Sequence, residues 1–226
     1  GGVAKTVTVA HLAEALARKG NSVLCIDMDP QANLSLLLGN LSEGEKPVKT
    51  IYDCLTPNPP IPGLSLGSSY LDARNPRIKL CYGSLRMAGL ERELVSFHPL
   101  DPSRSLLKKI DEHVREAFDY VLIDCPPSLS PLTVNSLTAS DYYIIPIAAG
   151  DSLALEGVEQ LNRTIKDIHD QLNPDLSHLG VLLTKFDGRL NICKAIESET
   201  MRMFGKYDLF KTRIRQNTIV EQATHV

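Results

Sequence analysis

Apolar positions recur along this chain with two periods, and the two periods alternate. From Lys5 to Lys19, Val9, Leu12, Ala13, Leu16 and Ala17 fall on one face at 3.6-residue spacing, which predicts a helix. Arg18 and Lys19 suit its C-terminal end, and Gly20 suits the left-handed cap beyond it. Val23 to Ile26 is continuously apolar, the pattern of a parallel strand covered on both faces. Tyr120 to Ile123, Tyr142 to Ile147 and Leu179 to Leu183 read the same way, and Ile78 to Tyr82 reads as a shorter strand. Helical spacing returns from Ser103 to Phe118, where Leu106, Leu107, Ile110, Val114 and Phe118 face a core, from Leu153 to Leu172, and from Leu190 to Phe204. Short helices are expected at Thr50 to Leu55 and Leu90 to Val95. Between Gly39 and Arg77 the chain carries Pro57, Pro59, Pro60 and Pro62, the mark of a surface excursion. Strand following helix throughout predicts an α/β fold: a mostly parallel twisted sheet with helices on both faces and right-handed crossovers.

Composition narrows this picture. The chain has 226 residues, 43% hydrophobic, with a formal net charge of −3, a length for one large or two small domains with a sizeable core. No apolar run reaches the length of roughly 18 residues that a membrane-spanning helix needs. The five cysteines (Cys25, Cys54, Cys81, Cys125, Cys193) form no C-x-x-C pair, so reduced thiols fit better than a disulfide frame or a zinc site. The six histidines lack ligand spacing.

Chemistry enters at the start of the chain. Gly1-Gly2-Val3-Ala4-Lys5-Thr6-Val7 is a Gly-rich run leading into Lys-Thr at the head of a helix. Backbone N–H groups in such a run curl around an anion, and the helix N-terminus adds partial positive charge. Lys5 would reach the β- and γ-phosphates and Thr6 would ligate Mg²⁺. Ala4 stands where the general phosphate-loop pattern has its second glycine; if that position needs a positive φ, its Cβ costs about 1 kcal/mol or more. Two apolar strands then end in carboxylates: Asp27 and Asp29 in D-M-D-P-Q-A-N, and Asp124 in L-I-D-C-P-P. Any one of these taken alone reads more commonly as a helix cap; three such ends together with Lys-Thr favour a metal and nucleotide.

Taken in order, the loop, D-M-D-P-Q-A-N, L-I-D-C-P-P, Ala154-Leu155-Glu156-Gly157 and Leu183-Thr184-Lys185-Phe186-Asp187 resemble the ParA/MinD (Soj-like) family of deviant Walker partitioning ATPases over nearly the whole chain. The resemblance implies a single P-loop ATPase domain spanning residues 1–226, a Mg²⁺-dependent, slow, partner-stimulated ATP hydrolase. It assigns Gly1, Gly2, Val3, Ala4, Lys5, Thr6 and Val7 to the phosphates, Thr6, Asp27 and Asp124 to the metal, and Asp29 to the attacking water, with Lys5 and Asp29 catalytic. It places Lys185, Arg215, Gln216 and Asn217 on the nucleoside side, where Arg215 replaces the family's usual Pro and Gln222 its usual Glu. The family's signature Lys precedes the Gly pair, outside this chain, and the chain is read as cut short at both ends.

The same resemblance implies a homodimer formed with ATP, nonspecific DNA binding, a ParB-like or adaptor protein that stimulates hydrolysis, and a cytoplasmic, nucleoid-associated location. Between residues 185 and 215 eight basic residues stand against four acidic ones in a chain of net charge −3, which fits phosphate contacts or an ordinary mixed-charge helix face. Other readings stay open on the same core: a MinD-like membrane-associated site selector, which D-P-Q-A-N disfavours, a metabolic ATP-dependent enzyme, and an iron–sulfur reductase, for which a second cysteine in matching context is missing.

Overall fold

The computed structural model describes residues 3–42, 45–47, 49–56, 70–97, 102–106, 110, 112–206 and 208–216. The chain gathers into two compact units, Thr6–Ala139 and Gly1–Lys5 with Ser140–Val226.

In the first unit a four-stranded sheet runs in the order β2–β3–β1–β4. β1 (Val23–Asp27) is parallel to β3 (Ile78–Cys81) on one side and to β4 (Tyr120–Asp124) on the other, and the short β2 (Leu71–Asp72) joins antiparallel to β3. Every residue of β1 is buried, as its continuous apolar run requires of a strand covered on both faces. Its side chains alternate between two apolar clusters. Val23 and Cys25 pack with Ala10, Ala13 and Ala17 of α1 (Lys5–Arg18) and with Leu34 and Leu38 of α2 (Asn33–Leu38). Leu24 and Ile26 pack with Ile51 and Leu55 of α3 (Ile51–Leu55), with Leu90 and Leu94 of α4 (Met87–Phe97), and with Val114 of α5 (Glu112–Ala117). Full burial of each such Leu or Ile contributes about 1.5–3 kcal/mol. The unit closes with α6 (Pro131–Thr138), whose buried Asn135 amide donates to the carbonyls of Pro102 and Pro131.

In the second unit β5 (Tyr142–Ala148) and β6 (Ser177–Thr184) pair in parallel, with an irregularity between Tyr143 and Ile144. The crossover between them carries α7 (Val158–Gln171), and α8 (Asn191–Phe204) follows β6. The chain then returns along β6: the Val181 N–H donates to Asp208 and the Phe210 N–H to Val181, at 2.7 and 2.9 Å.

The structure bears out the mostly parallel α/β architecture and most expected elements, with several differences. α2 and α6 carry no clear 3.6-residue signal: α2 is six residues long and α6 is buried almost all round, so neither shows a polar face. The expected continuous helix from Ser103 to Phe118 is instead a 3₁₀ turn at Pro102–Arg104 and the short α5, with Leu107 outside the described residues; Leu106, Ile110 and Val114 are buried as expected. The helix expected from Leu153 begins only at Val158, because residues 152–157 form turns and Gly157 sits at φ 77°. On α1, Leu12 is exposed and Ala10 takes its place in the core. Pro57, Pro59, Pro60 and Pro62 lie outside the described residues. Among the described residues, no helix is long and apolar enough to cross a membrane.

Candidate functional site

β1 and β4 run in the same direction and in a register that sets Asp27 opposite Asp124. Both carboxylates therefore emerge at the C-terminal edge of the sheet, where open α/β sheets place their ligands. Both are buried, and the Met28 N–H donates to the Asp124 carbonyl at 3.0 Å, locking the strand ends together.

Asp27 is held by its neighbours. One carboxylate oxygen accepts the Ser35 N–H at 2.8 Å and the Ser35 hydroxyl at 2.7 Å, and the other accepts the Asp29 N–H at 3.3 Å. The Ser35 hydroxyl in turn accepts the Gly83 N–H at 2.8 Å. Ser35 lies in the first turn of α2, so Asp27 supplies the acceptor that this helix start needs. Burial pushes the Asp27 carboxyl up to about 6, while the hydrogen bonds from Ser35 and Asp29 pull it back and the Asp29 charge adds to the rise. A cation beside it would favour the ionised form. Burial, and after it the charges of Asp124, Asp27 and Glu14, push the Cys25 thiol up to about 12.

Asp29 makes a turn of its own. Its carboxylate accepts the Gln31 N–H at 2.9 Å and its carbonyl accepts the Ala32 N–H at 2.9 Å, an Asx-type turn. Ala32 closes that turn at φ 54°, left-handed for a non-glycine residue, and α2 starts at once. Thr6, Asp27, Asp29 and Asp124 thus belong to one compact unit. Thr6 and Val7 are partly buried in the first turn of α1.

In the other unit, Ala4 adopts φ 61°. The position where the phosphate-loop pattern has glycine does take the left-handed conformation, and the alanine Cβ carries the cost of about 1 kcal/mol expected of it. The carbonyl before it, on Val3, accepts the Thr184 hydroxyl at 3.0 Å. Past Thr184, Lys185 is also left-handed, at φ 50°. Phe186 then bridges Arg215, with its N–H donating to Ile214 at 3.0 Å, so the segments that carry Lys185 and Arg215 run side by side. Gln216 is exposed next to them; Gly1, Gly2, Asn217 and Gln222 lie outside the described residues.

Of the late basic residues, three are engaged. Arg189 forks onto Asp187 and holds its carboxyl down at about 2; Arg202 pairs with Glu199, and Arg213 with Glu197. Lys194, Lys206, Lys211 and Arg215 are exposed. Among the described residues, no cluster of three or more His, Cys, Asp or Glu side chains could hold a metal by itself. The donor set of a threonine hydroxyl and two carboxylates instead fits Mg²⁺ that keeps waters and takes its remaining ligands from phosphate oxygens. Sequence reasoning missed Ser35 and Gly83, which no local pattern links to Asp27. It did mark Thr184, but only as part of the Leu183–Asp187 motif and without a link to the loop.

Comparison with known proteins shows what the whole chain is similar to. A family model described as an AAA domain matches residues 1–178. The sporulation initiation inhibitor protein Soj of Bacillus subtilis is 35% identical over 223 residues, spanning 99% of this chain and 83% of Soj. The chromosome partitioning protein ParA of Myxococcus xanthus is 36% identical over 217 residues, 96% of this chain and 72% of ParA. Among solved structures, a cobyrinic acid a,c-diamide synthase from Mycobacterium smegmatis with bound ADP and magnesium superposes with a TM-score of 0.83 at 30% identity, covering 100% of this chain and 87% of that one.

Proposed function

The chain belongs to the ParA/Soj family of P-loop ATPases, and on that premise we propose that it hydrolyses Mg²⁺–ATP to drive a cycle of dimerisation and nonspecific DNA binding that partitions or positions a plasmid, chromosome or large cargo. The observation that carries this reading is the pair of buried carboxylates, Asp27 and Asp124, at one register on adjacent parallel strands. Two such groups side by side are costly unless a cation offsets them.

Each residue has a distinct task in this scheme. The backbone of residues 1–7 cradles the phosphates, and Lys5 neutralises charge that builds on the transferred phosphoryl group. The Thr6 hydroxyl and Asp124 would hold the metal, Asp124 through water, and Asp27 would lie near it while it anchors α2 through Ser35. Asp29 orients the attacking water from its turn. When bound, Mg²⁺ would supply Lewis-acid neutralisation of the phosphate charge. Lys185, Arg215, Gln216 and Asn217 line the nucleoside side.

Two copies close face to face over the nucleotides, using the turn at 150–157, where Leu153 is 59% exposed, and the Asp29-Pro30-Gln31 turn. Closure excludes water and strengthens each electrostatic contact to the transition state. The exposed Lys194, Lys206, Lys211 and Arg215 contact DNA phosphates, a ParB-like or adaptor protein stimulates hydrolysis, and the protein works in the cytoplasm on the nucleoid.

The test is a DNA titration with ATP, ADP and no nucleotide at two salt concentrations, with light scattering for mass. DNA affinity and dimer mass should rise together with ATP, and the affinity should fall steeply with salt. Equal DNA binding in all three states overturns the cycle. A second reading, an ATP-dependent enzyme acting on a small molecule, is favoured by the 30% identity to a protein named as a synthase; it requires a substrate-dependent product and no effect of DNA.

A further inference from the structure

Two left-handed non-glycine residues, Ala4 and Lys185, flank a single hydrogen bond, from the Thr184 hydroxyl to the Val3 carbonyl at 3.0 Å. A residue in that region of backbone space persists only where its surroundings over-determine it. On the N-terminal side of Ala4, this bond restrains the peptide that precedes it. Thr184 is well placed to supply it. It is fully buried, it ends β6, and its own carbonyl accepts the Ala149 N–H at 2.9 Å, which braces it on β5. Its hydroxyl has one proton, and the Val3 carbonyl at 3.0 Å is closer than the alternative acceptor, the Ile147 carbonyl at 3.3 Å.

The Val3 carbonyl and the Ala4 N–H belong to one planar trans peptide, so they point in opposite directions. Tethering the carbonyl to Thr184 therefore fixes the direction of the Ala4 N–H, a donor in the middle of the phosphate loop. We propose that Thr184 is a positioning residue for this loop: its hydroxyl holds the Val3–Ala4 peptide so that Ala4 stays left-handed and the loop is shaped before nucleotide arrives. A glycine at position 4 would adopt this conformation with little help; the alanine makes the tether necessary. A loop shaped in advance loses less conformational freedom on binding, which strengthens affinity without a new contact to the ligand. The inference rests on the reading of residues 1–7 as the phosphate site.

The experiment compares Thr184→Val, which keeps the shape and removes the hydroxyl, with Thr184→Ser, which keeps the hydroxyl, each with Ala4 and with Ala4→Gly. Calorimetry with Mg²⁺–ATP and Mg²⁺–ADP gives affinity; hydrogen exchange of the peptide covering residues 3–8 without nucleotide gives loop order; thermal melting controls for folding. Loss of one buried hydrogen bond should weaken nucleotide binding roughly three- to ten-fold in Thr184→Val. Exchange in the nucleotide-free loop should quicken, and Thr184→Ser should restore both. In the Ala4→Gly background the loss caused by Thr184→Val should shrink. That background also keeps the comparison available if Thr184→Val alone folds poorly. Unchanged affinity and unchanged loop exchange in Thr184→Val overturn the inference, as does an equal loss in Thr184→Ser. If the parent protein binds no nucleotide, the phosphate-site reading fails instead, and loop exchange alone still decides whether Thr184 orders residues 3–8.

Discussion

Ser35 donates twice to one oxygen of Asp27, through its backbone N–H at 2.8 Å and its hydroxyl at 2.7 Å. With the Gly83 N–H closing onto the same hydroxyl, three segments distant in sequence meet at one side chain: the end of β1, the start of α2 and the turn after β3. The carboxylate assigned to the neighbourhood of the metal thus also organises the polypeptide around it.

Ser35→Ala should lower stability by about 1–3 kcal/mol, because it strands the buried Gly83 N–H and removes one donor from a buried carboxylate. A shift in the urea midpoint at unchanged slope measures it. The lost hydroxyl is the largest influence lowering the Asp27 carboxyl, so that carboxyl should move above its present value of about 6.

Gly83→Ala should also destabilise, by a different route. A Cβ there would lie 2.9 Å from Asp27 Cγ and 3.2 Å from Ala32 Cα. Neither is the loose end of a flexible side chain, so the overpacking should cost about 1–3 kcal/mol. Reduced Mg²⁺–ATP affinity should accompany the fall in melting temperature as Asp27 is displaced.

Lys5→Ala should abolish calorimetric ATP binding. Asp29→Asn should spare binding and keep the acceptor for Gln31, while slowing turnover by about 10²-fold or more if Asp29 handles the attacking water. Asp124→Ala should weaken the Mg²⁺ dependence of binding. Parental turnover in Asp29→Asn would move the water-orienting role elsewhere.

Asp187 gives a pH signature. Hydrogen bonds from Arg189, with smaller help from the Arg189 and Arg215 charges, hold its carboxyl at about 2, below its usual 3.8. A folded-state value below the unfolded one adds stability that is fully present above 3.8 and lost as pH falls through about 2. In Arg189→Ala the Asp187 carboxyl should rise towards 3.8, followed by carbon NMR titration. An unmoved titration would show that the fork does not form in solution.

The elements readable from sequence are those whose signal is local. β1 is apolar at every position from Val23 to Ile26 because both its faces are covered, and α8 shows its 3.6-residue face because only one side of it is buried. Asp27, Asp29 and Asp124 could be placed at strand ends for the same reason: an apolar run stops there and a carboxylate follows.

Other features depended on contacts that no local pattern encodes. α2 is too short and too apolar to announce itself, and its start is completed by Asp27, eight residues away, and by Gly83 beyond it. The turns at 152–157 override a helical spacing because Gly157 enters α7 from a left-handed conformation. Arg213 counted equally with the other late basic residues until folding set it against Glu197, sixteen residues away. Sequence marked the candidate residues for the chemistry and showed that Ala4 departs from glycine. Tertiary structure alone decided that Ala4 is left-handed and that Thr184, 181 residues from Val3, holds the peptide before it. A backbone torsion and a long-range hydrogen bond are set by what packs beside them, and that is fixed only when distant strands come together.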